Sequence, residues 1–236
     1  MGNRDVDIKR AITRVTGRIA NACLAAGRSP SEVSLLIATK TQPISTIRGV
    51  IEALPAIVTS TPIIIGENRV QELVSKASQL PNMEIHYIGP LQKNKINQLL
   101  STPITCIETI DSFELAEAIN SRCNYPINVM LEVNVSGEAS KAGCSPDVAE
   151  ELAVAISALP NLNLTGFMTI GLRPIMENSR IVNSDEIRSG YRKLREIRDS
   201  INPTIGLSMG MSTDLELAIA EGATIVRVGT AIFGPR

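Results

Sequence analysis

The chain has 236 residues, of which 44% are hydrophobic and 20% are charged, and its formal net charge is -1. This apolar content can bury a sizeable core and excludes a disordered chain, while the balanced charge offers no general attraction to nucleic acid or to an anionic membrane. The length is close to the roughly 250 residues of a complete β/α barrel, so one domain over residues 1–236 is expected.

Cysteine spacing and hydropathy exclude several further classes. The four cysteines are far apart and there is one histidine, so we expect reduced thiols and no metal cluster. Charged residues interrupt the first 27 positions, which argues against a secretory signal. The longest apolar stretch, 53–65, is broken by prolines and is too short to span a bilayer. We therefore expect a soluble, cytoplasmic protein without a membrane partner.

The first predicted element is an amphipathic helix near the N-terminus. Its apolar residues recur at spacings of three or four, which is the period of one helix face. They are Ile8, Ile12, Val15, Ile19 and Cys23, and Gly27 ends the helix.

Short apolar runs then alternate with helical periods through the rest of the chain. Eight runs are strand candidates, at 35–39, 63–65, 85–88, 104–107, 127–135, 164–169, 204–207 and 224–228. Each is short and continuously apolar, as expected of strands that are buried on both faces. The irregular stretch 172–185 is polar and is predicted to be a surface loop.

Helix start and stop signals separate these strands. Ser145 followed by Pro146 is typical of a helix N-terminus, and Asn68 and Asp111 are predicted to open two other helices. Residues 213–216 have the T-x-x-E form of a capping box, and Gly222 ends the helix that follows. Eight strands, each followed by a helix, favour an α/β fold of the (β/α)8 TIM barrel type with an extra N-terminal helix over an open doubly wound sheet.

In such a barrel the functional site lies at the carboxyl ends of the strands, and Lys40 directly follows the first strand. Most lysines are solvated surface groups, but a lysine at this end of a strand is rarer. Partial burial there lowers the pKa of the amine, which makes the neutral form available to attack an aldehyde. Lys40 is therefore predicted to form a Schiff base.

A second feature, the segment 206–212, follows the predicted seventh strand, and Gly229 and Thr230 follow the eighth. Glycines allow close backbone approach, hydroxyls donate hydrogen bonds, and helix N-termini attract anions. Barrel enzymes frequently bind phosphate with the loops after these two strands. The pattern predicts a phosphate site.

Two further polar residues are predicted within strands. Arg227 shares a face with Gly229, so it either faces the ligand or forms a structural ion pair with Glu108 or Glu132. His86, the one histidine, is interpreted as structural because the sequence shows no dyad or metal partners for it.

Several motifs together resemble the YggS/PROSC family of pyridoxal phosphate homeostasis proteins over almost the whole chain. Their order and spacing make chance similarity very unlikely. They are ATKTQP at 38–43, GENRVQE at 66–72, HYIGPLQKNK at 86–95, NVSGE at 134–138, GFMTI at 166–170, LSMGMSTD at 207–214 and VRVGTAIFG at 226–234.

The resemblance implies a barrel like the N-terminal domain of alanine racemase, the type III fold of enzymes that use pyridoxal 5′-phosphate (PLP), with PLP held as a Schiff base on Lys40. It also implies roles for six other residues. The phosphate would be held by Ser208, Met209, Gly229 and Thr230. Arg227 would lie near the ring nitrogen, and Asn68 would line the pocket.

The resemblance further implies a role in intracellular PLP (vitamin B6) and amino-acid homeostasis without established catalysis, and possible transfer of PLP to apo-enzymes. Racemisation needs a second base, which racemases take from a C-terminal domain that this chain is not expected to contain; for the same reason a monomer is expected. No catalytic residue is therefore assigned. The alternatives are a PLP-dependent enzyme such as a weak amino-acid racemase and a class I aldolase-like barrel.

Overall fold

The structure, a computed structural model, describes residues 3–57, 59–80 and 83–234. The first two and last two residues of the expected 1–236 domain lie outside this range. The strands of the barrel are β1 (Ser34–Ala38), β2 (Ile63–Glu67), β3 (Ile85–Tyr87), β4 (Cys106–Ile110), β5 (Ile127–Glu132), β6 (Leu162–Met168), β7 (Gly206–Met211) and β8 (Ile225–Val228).

These eight strands form a closed parallel barrel. Each strand pairs with the next along the chain, and β8 pairs with β1 to complete the ring. In that last pair Leu36 lies opposite Arg227 and Ile37 lies opposite Val228. The predicted (β/α)8 barrel is therefore confirmed.

Helices cover the outside of the barrel. The α-helices are α1 (Asn3–Ala25), α2 (Ile44–Ala53), α3 (Val70–Lys76), α4 (Ile96–Leu100), α5 (Phe113–Asn120), α6 (Ala149–Ser157), α7 (Ser184–Ile201), α8 (Leu215–Ala220) and α9 (Thr230–Phe233). Short 3-10 helices occur at Pro30–Glu32, Leu54–Ala56, Ala77–Gln79, Lys93–Lys95 and Pro146–Val148. Among the described residues no helix is long and apolar enough to cross a bilayer.

The N-terminal helix α1 has the predicted buried face. All five residues of its apolar stripe are at most 6% exposed. The helix packs beside α8 and α9, and the Nε atom of Arg18 lies 2.7 Å from Oε1 of Glu216. Gly27 ends the turn after α1 with a φ of 69°, a conformation that suits glycine.

Both faces of the strands are buried, in two separate clusters. Side chains that alternate outward, such as Leu35 and Ile37, join the large core between the barrel and its helices. Those that alternate inward form a smaller cluster inside the barrel. It contains Leu36, Ala38, Ile64, Cys106, Met130, Met168 and Ile225.

The predicted bounds were wrong for the seventh strand, which runs over Gly206–Met211 and not over 204–207. The serine and glycines look like a loop in sequence. Ser208 is nevertheless fully buried in the strand, because a carboxylate and a guanidinium inside the barrel satisfy its hydroxyl. The segment 206–212 is therefore mostly strand and is not a loop after it.

Start signals of the helices were partly right. Ser145 accepts a hydrogen bond from the N–H of Asp147, as expected of a cap. The capping box at 213–216 is not formed, because Asp214 is the N-cap of α8 and its carboxylate is used elsewhere. The helices predicted to open at Asn68 and Asp111 begin two residues later, at Val70 and Phe113.

The stretch 172–185 is not an irregular loop throughout. It contains a two-stranded antiparallel hairpin, Met176–Glu177 with Arg180–Ile181. Asn178 and Ser179 at its tip have positive φ values of 46° and 63°, which is the backbone of a two-residue hairpin turn. The chain here makes its own local hydrogen bonds, which apolar periodicity does not reveal.

Candidate functional site

The residues predicted to form the site lie on four adjacent strands. Lys40 follows the end of β1 by two residues, and Asn68 directly follows β2. Gly229 and Thr230 follow β8, next to β1 in the barrel, and Ser208 is in β7 beside it. Except for Ser208 and Met209, which lie within β7, these positions are at the carboxyl end of the barrel, which we call the mouth.

Lys40 is half-buried in a tight turn between β1 and α2. The N–H of Gln42 donates to the carbonyl of Thr39 at 3.0 Å, and Thr41 has a φ of 66°. A positive φ is unfavourable for a β-branched residue, so surrounding contacts must hold this turn.

Two carboxylates hold the turn, one on each side of Lys40. The Thr39 hydroxyl donates to Glu67, with 3.3 Å between Oγ1 and Oε1, and the N–H of Thr41 donates to Oε2 of Glu72 at 2.9 Å. Lys76 joins the carboxylates, because its Nζ lies 2.8 Å from Glu67 and 3.0 Å from Glu72. A buried ammonium thus connects both supports of the turn.

Charge balance in this cluster favours the ionised form of Glu72. Partial burial would raise the pKa of this carboxyl, but hydrogen bonds from Lys76 and from the Thr41 N–H, together with Arg69, outweigh that effect and lower it. The sequence prediction did not identify Lys76 or Glu72. Their spacing of four on α3 was the available signal.

Asn68 carries a buried acceptor without a partner. Among the described residues, only its Oδ1 and the Thr61 hydroxyl are buried side-chain polar atoms with no hydrogen bond. Its backbone is held, because its N–H donates to Glu67 and its carbonyl packs against Gly89, where any Cβ would overlap it. An orphaned acceptor at the mouth is a position for a donor from a ligand.

Ser208 and Met209 face opposite sides of the β7 strand. The Met209 side chain lies in the core between barrel and helices, so only its backbone can approach a ligand. The Ser208 hydroxyl points inward, donates to Oε2 of Glu108 at 2.5 Å, and accepts from Arg227 at 2.8 Å.

The turns after β7 and β8 are fastened to each other. The hydroxyl of Ser212 accepts a hydrogen bond from the N–H of Ala231 in α9 at 3.3 Å. Gly229 stands at the N-cap of α9 and lies against β1, since a Cβ there would be 3.4 Å from the carbonyl oxygen of Ala38. Thr230 is exposed at the start of α9, where its hydroxyl can donate.

Arg227 is buried in β8 and points into the barrel. Its guanidinium donates to Ser208 and to the carbonyl of Thr169, the latter at 2.7 Å. The sequence suggested Glu108 or Glu132 as an ion-pair partner of Arg227. Glu108 connects with Arg227 only through Ser208, and among the described residues no ion pair joins Arg227 to Glu132. Burial raises the pKa of Glu132 to about 7, although the charge of Arg227 lowers it.

His86 lies inside the barrel between two carboxylates. Its Nδ1 is 2.6 Å from Oε1 of Glu108 and its Nε2 is 3.1 Å from Oε1 of Glu84. Burial would lower the pKa of the imidazole, but the hydrogen bonds and charges of the carboxylates outweigh burial and raise it to about 9. At neutral pH the ring is therefore a cation that donates from both nitrogens.

The chain matches a known family over most of its length. The family model of the alanine racemase N-terminal domain matches residues 25–236. A pyridoxal phosphate homeostasis protein of Pseudomonas aeruginosa is 40% identical over 235 residues, which cover 97% of this chain and 96% of that protein. The protein of the same name from Aquifex aeolicus is also 40% identical, over 95% of this chain and 96% of its own length.

Solved structures show the same fold. The crystal structure of a protein from Bifidobacterium adolescentis has a TM-score of 0.88 and 39% identity, covering 99% of this chain and 97% of that one. PipY of Synechococcus elongatus with PLP bound has a TM-score of 0.70 and 29% identity, and the match covers 92% of this chain and 100% of PipY. Alanine racemase of Corynebacterium glutamicum, at 16% identity and a TM-score of 0.68, shares the fold; the match covers 98% of this chain and 62% of the racemase.

Proposed function

Because the chain belongs to the alanine racemase N-terminal domain family, and within it to the pyridoxal phosphate homeostasis proteins, we propose that it binds PLP as a Schiff base on Lys40. One observation carries the proposal. The turn that bears Lys40 and the junction of β8 with α9 follow neighbouring strands that pair at Ile37 and Val228, so an amine and an anion-binding helix start belong to the same side of the mouth.

We propose roles for the other residues around the mouth. Gly229 and Thr230 would hold the phosphate together with the backbone of Met209. Ser208 would act indirectly, because its hydroxyl already donates to Glu108 and accepts from Arg227. The orphaned acceptor of Asn68 would take a hydrogen bond from the cofactor. When bound, PLP supplies an aldehyde for the amine and an electron-withdrawing ring.

Arg227 supports a role in carrying PLP over one in catalysis. A permanent guanidinium charge beside the ring nitrogen would disfavour protonation of that nitrogen, which weakens the ring as an electron sink. Relatives at 40% identity are named for homeostasis, whereas the racemases are far more distant. We therefore assign no catalytic residue, and propose a cytoplasmic, monomeric protein that supplies PLP to apo-enzymes.

The experiment that tests the proposal is a visible absorbance titration of purified protein with PLP. We expect a Schiff-base band that is lost in Lys40→Ala and kept in Lys193→Ala, an exposed lysine of α7. A wild-type protein that gains no band would refute the assignment. A band of equal strength in Lys40→Ala would refute the choice of lysine.

Two further measurements separate the carrier from an enzyme. Borohydride reduction followed by mass spectrometry distinguishes a pyridoxyl group from a sugar on Lys40, and the sugar adduct would favour an aldolase-like barrel. Lys40-dependent deuterium exchange at the α-carbon of added amino acids, at an enzyme-like rate, would contradict the carrier and favour a racemase.

A further inference from the structure

Polar side chains, all buried except the first, form a continuous hydrogen-bonded series through the middle of the barrel. It starts at Glu84, directly before β3, and ends at the carbonyl of Thr169, directly after β6. We call it the internal chain. Its side chains, in order, are Glu84, His86, Glu108, Ser208 and Arg227, and its donor to acceptor distances are between 2.5 and 3.1 Å.

Hydrogen-bond polarity in the internal chain is determined at its centre. Glu108 accepts from the His86 ring on one oxygen and from the Ser208 hydroxyl on the other. Since Ser208 uses its proton there, its lone pairs are available to Arg227, which can only donate. A change of charge at either end therefore alters the hydrogen bonds at the other, and burial strengthens this coupling.

The amino-terminal end of the internal chain is accessible to solvent. Glu84 is half-exposed, and it lines a cavity of about 280 Å³ together with His86. The first residues of three strands, Ser34, Gly206 and Ile225, line the same cavity, which places it at the end of the barrel opposite the mouth. A proton can thus exchange with His86 without passing the site of the cofactor.

We propose that the internal chain couples occupancy of the mouth beside Arg227 to the proton on His86 at the opposite end of the barrel. This inference rests on the proposed function for the identity of the ligand, which is an anionic pyridine phosphate. By linkage, a ligand that changes the proton affinity of His86 has its own affinity changed by protonation of His86 to the same extent. Glu108 and Ser208 are then positioning residues for Arg227.

Four other titratable groups surround His86. Glu84 lies directly before β3, Glu108 and the thiol of Cys106 lie on β4, and Glu32 lines the cavity. None of these groups except Glu108 contacts Ser208, so Glu108 alone connects His86 with the mouth through the described hydrogen bonds.

The test uses NMR titration of the imidazole signals, which need no assignment because the chain has one histidine. PLP adds negative charge at the mouth, so we expect the pKa of His86 to rise by about half a unit or more, roughly a threefold change in proton affinity. Protein with PLP bound, as judged by its absorbance band, but an unchanged His86 titration would overturn the inference and leave the proposed function intact.

Variants without PLP test the internal chain separately. Ser208→Ala removes a donor from the Glu108 carboxylate, which becomes a stronger acceptor for His86, so the His86 pKa should rise. Thr165→Val, in the wall of the same cavity but outside the internal chain, should not change it. If Ser208→Ala does not fold, Ser208→Cys fills the site with a slightly larger side chain that is a weaker donor. Equal titrations in the serine variant and the wild type would overturn the coupling, even if PLP did not bind at all.

Discussion

The Nζ atom of Lys76 lies 2.8 Å from Oε1 of Glu67, and both side chains are almost fully buried. Removing the cation would leave Glu67 and Glu72 as neighbouring carboxylates without their shared partner. We expect Lys76→Met to lower the free energy of unfolding by about 3 kcal/mol, because an uncompensated buried charge is costly. Denaturant unfolding measures this.

The matched control for Lys76 is Lys193→Met, which changes an exposed lysine by the same substitution and should stay within about 0.5 kcal/mol of the wild type. Because Glu67 and Glu72 hold the turn around Lys40, Lys76→Met should also slow formation of the Schiff-base band, and Lys76→Arg should restore part of the rate. Equal stability of Lys76→Met and the control would contradict the role of this cluster.

Tyr191 supports the turn that follows β7. Its hydroxyl donates to Oδ2 of Asp214 at 2.7 Å, and Oδ1 of the same carboxylate accepts from the N–H of Met211. Tyr191→Phe leaves a buried carboxylate oxygen unsatisfied and should cost about 1–3 kcal/mol in thermal or denaturant unfolding. Tyr125→Phe is the control, since this tyrosine is half-exposed, and a similar loss there would show that the Asp214 contact is unimportant.

Glycine is required at position 210 but not at position 17. Gly210 has a φ of 88°, and a Cβ there would overlap the Cβ of Ala218. Gly210→Ala should therefore destabilise the protein by about 2 kcal/mol or more and weaken PLP binding. Gly17→Ala, in exposed helix with open space around it, should stabilise the protein by about 0.5–1 kcal/mol. If the two variants shift the unfolding midpoint in the same direction relative to the wild type, this account is contradicted.

Glu132 should make stability fall with rising pH. Burial raises its folded pKa to about 7, above the unfolded value, so the folded state binds the extra proton between the two values. The contribution is fully present below the unfolded pKa and is lost as the pH rises through about 7. Glu132→Gln should reduce this slope, which urea unfolding at pH 5 and pH 8 would show, and the fall contributed by His86, whose pKa is also raised, should remain. Glu138→Gln, at an exposed site, should keep the full slope.

Much of the fold was predictable because the relevant signals are local. The stripe of α1 and the eight apolar runs identified the barrel, and the position of Lys40 after the first run identified the mouth. The bounds of β7 were not predictable, since Ser208 and Gly210 are typical of loops. Ser208 is a strand residue only because Glu108 and Arg227, distant in sequence, satisfy its hydroxyl inside the barrel.

The sequence alone thus determined the architecture, the family and the candidate lysine, since apolar periodicity, helix signals and motif order are properties of neighbouring residues. Tertiary structure decided which polar side chains meet. Lys76 of α3 connects with the turn of Lys40 through Glu67 and Glu72, and His86 connects with Arg227 through residues of two other strands. Those contacts depend on closure of the barrel and on an interior without water, where an unpaired buried charge is costly. Neither condition can be recognised from the order of residues in the sequence.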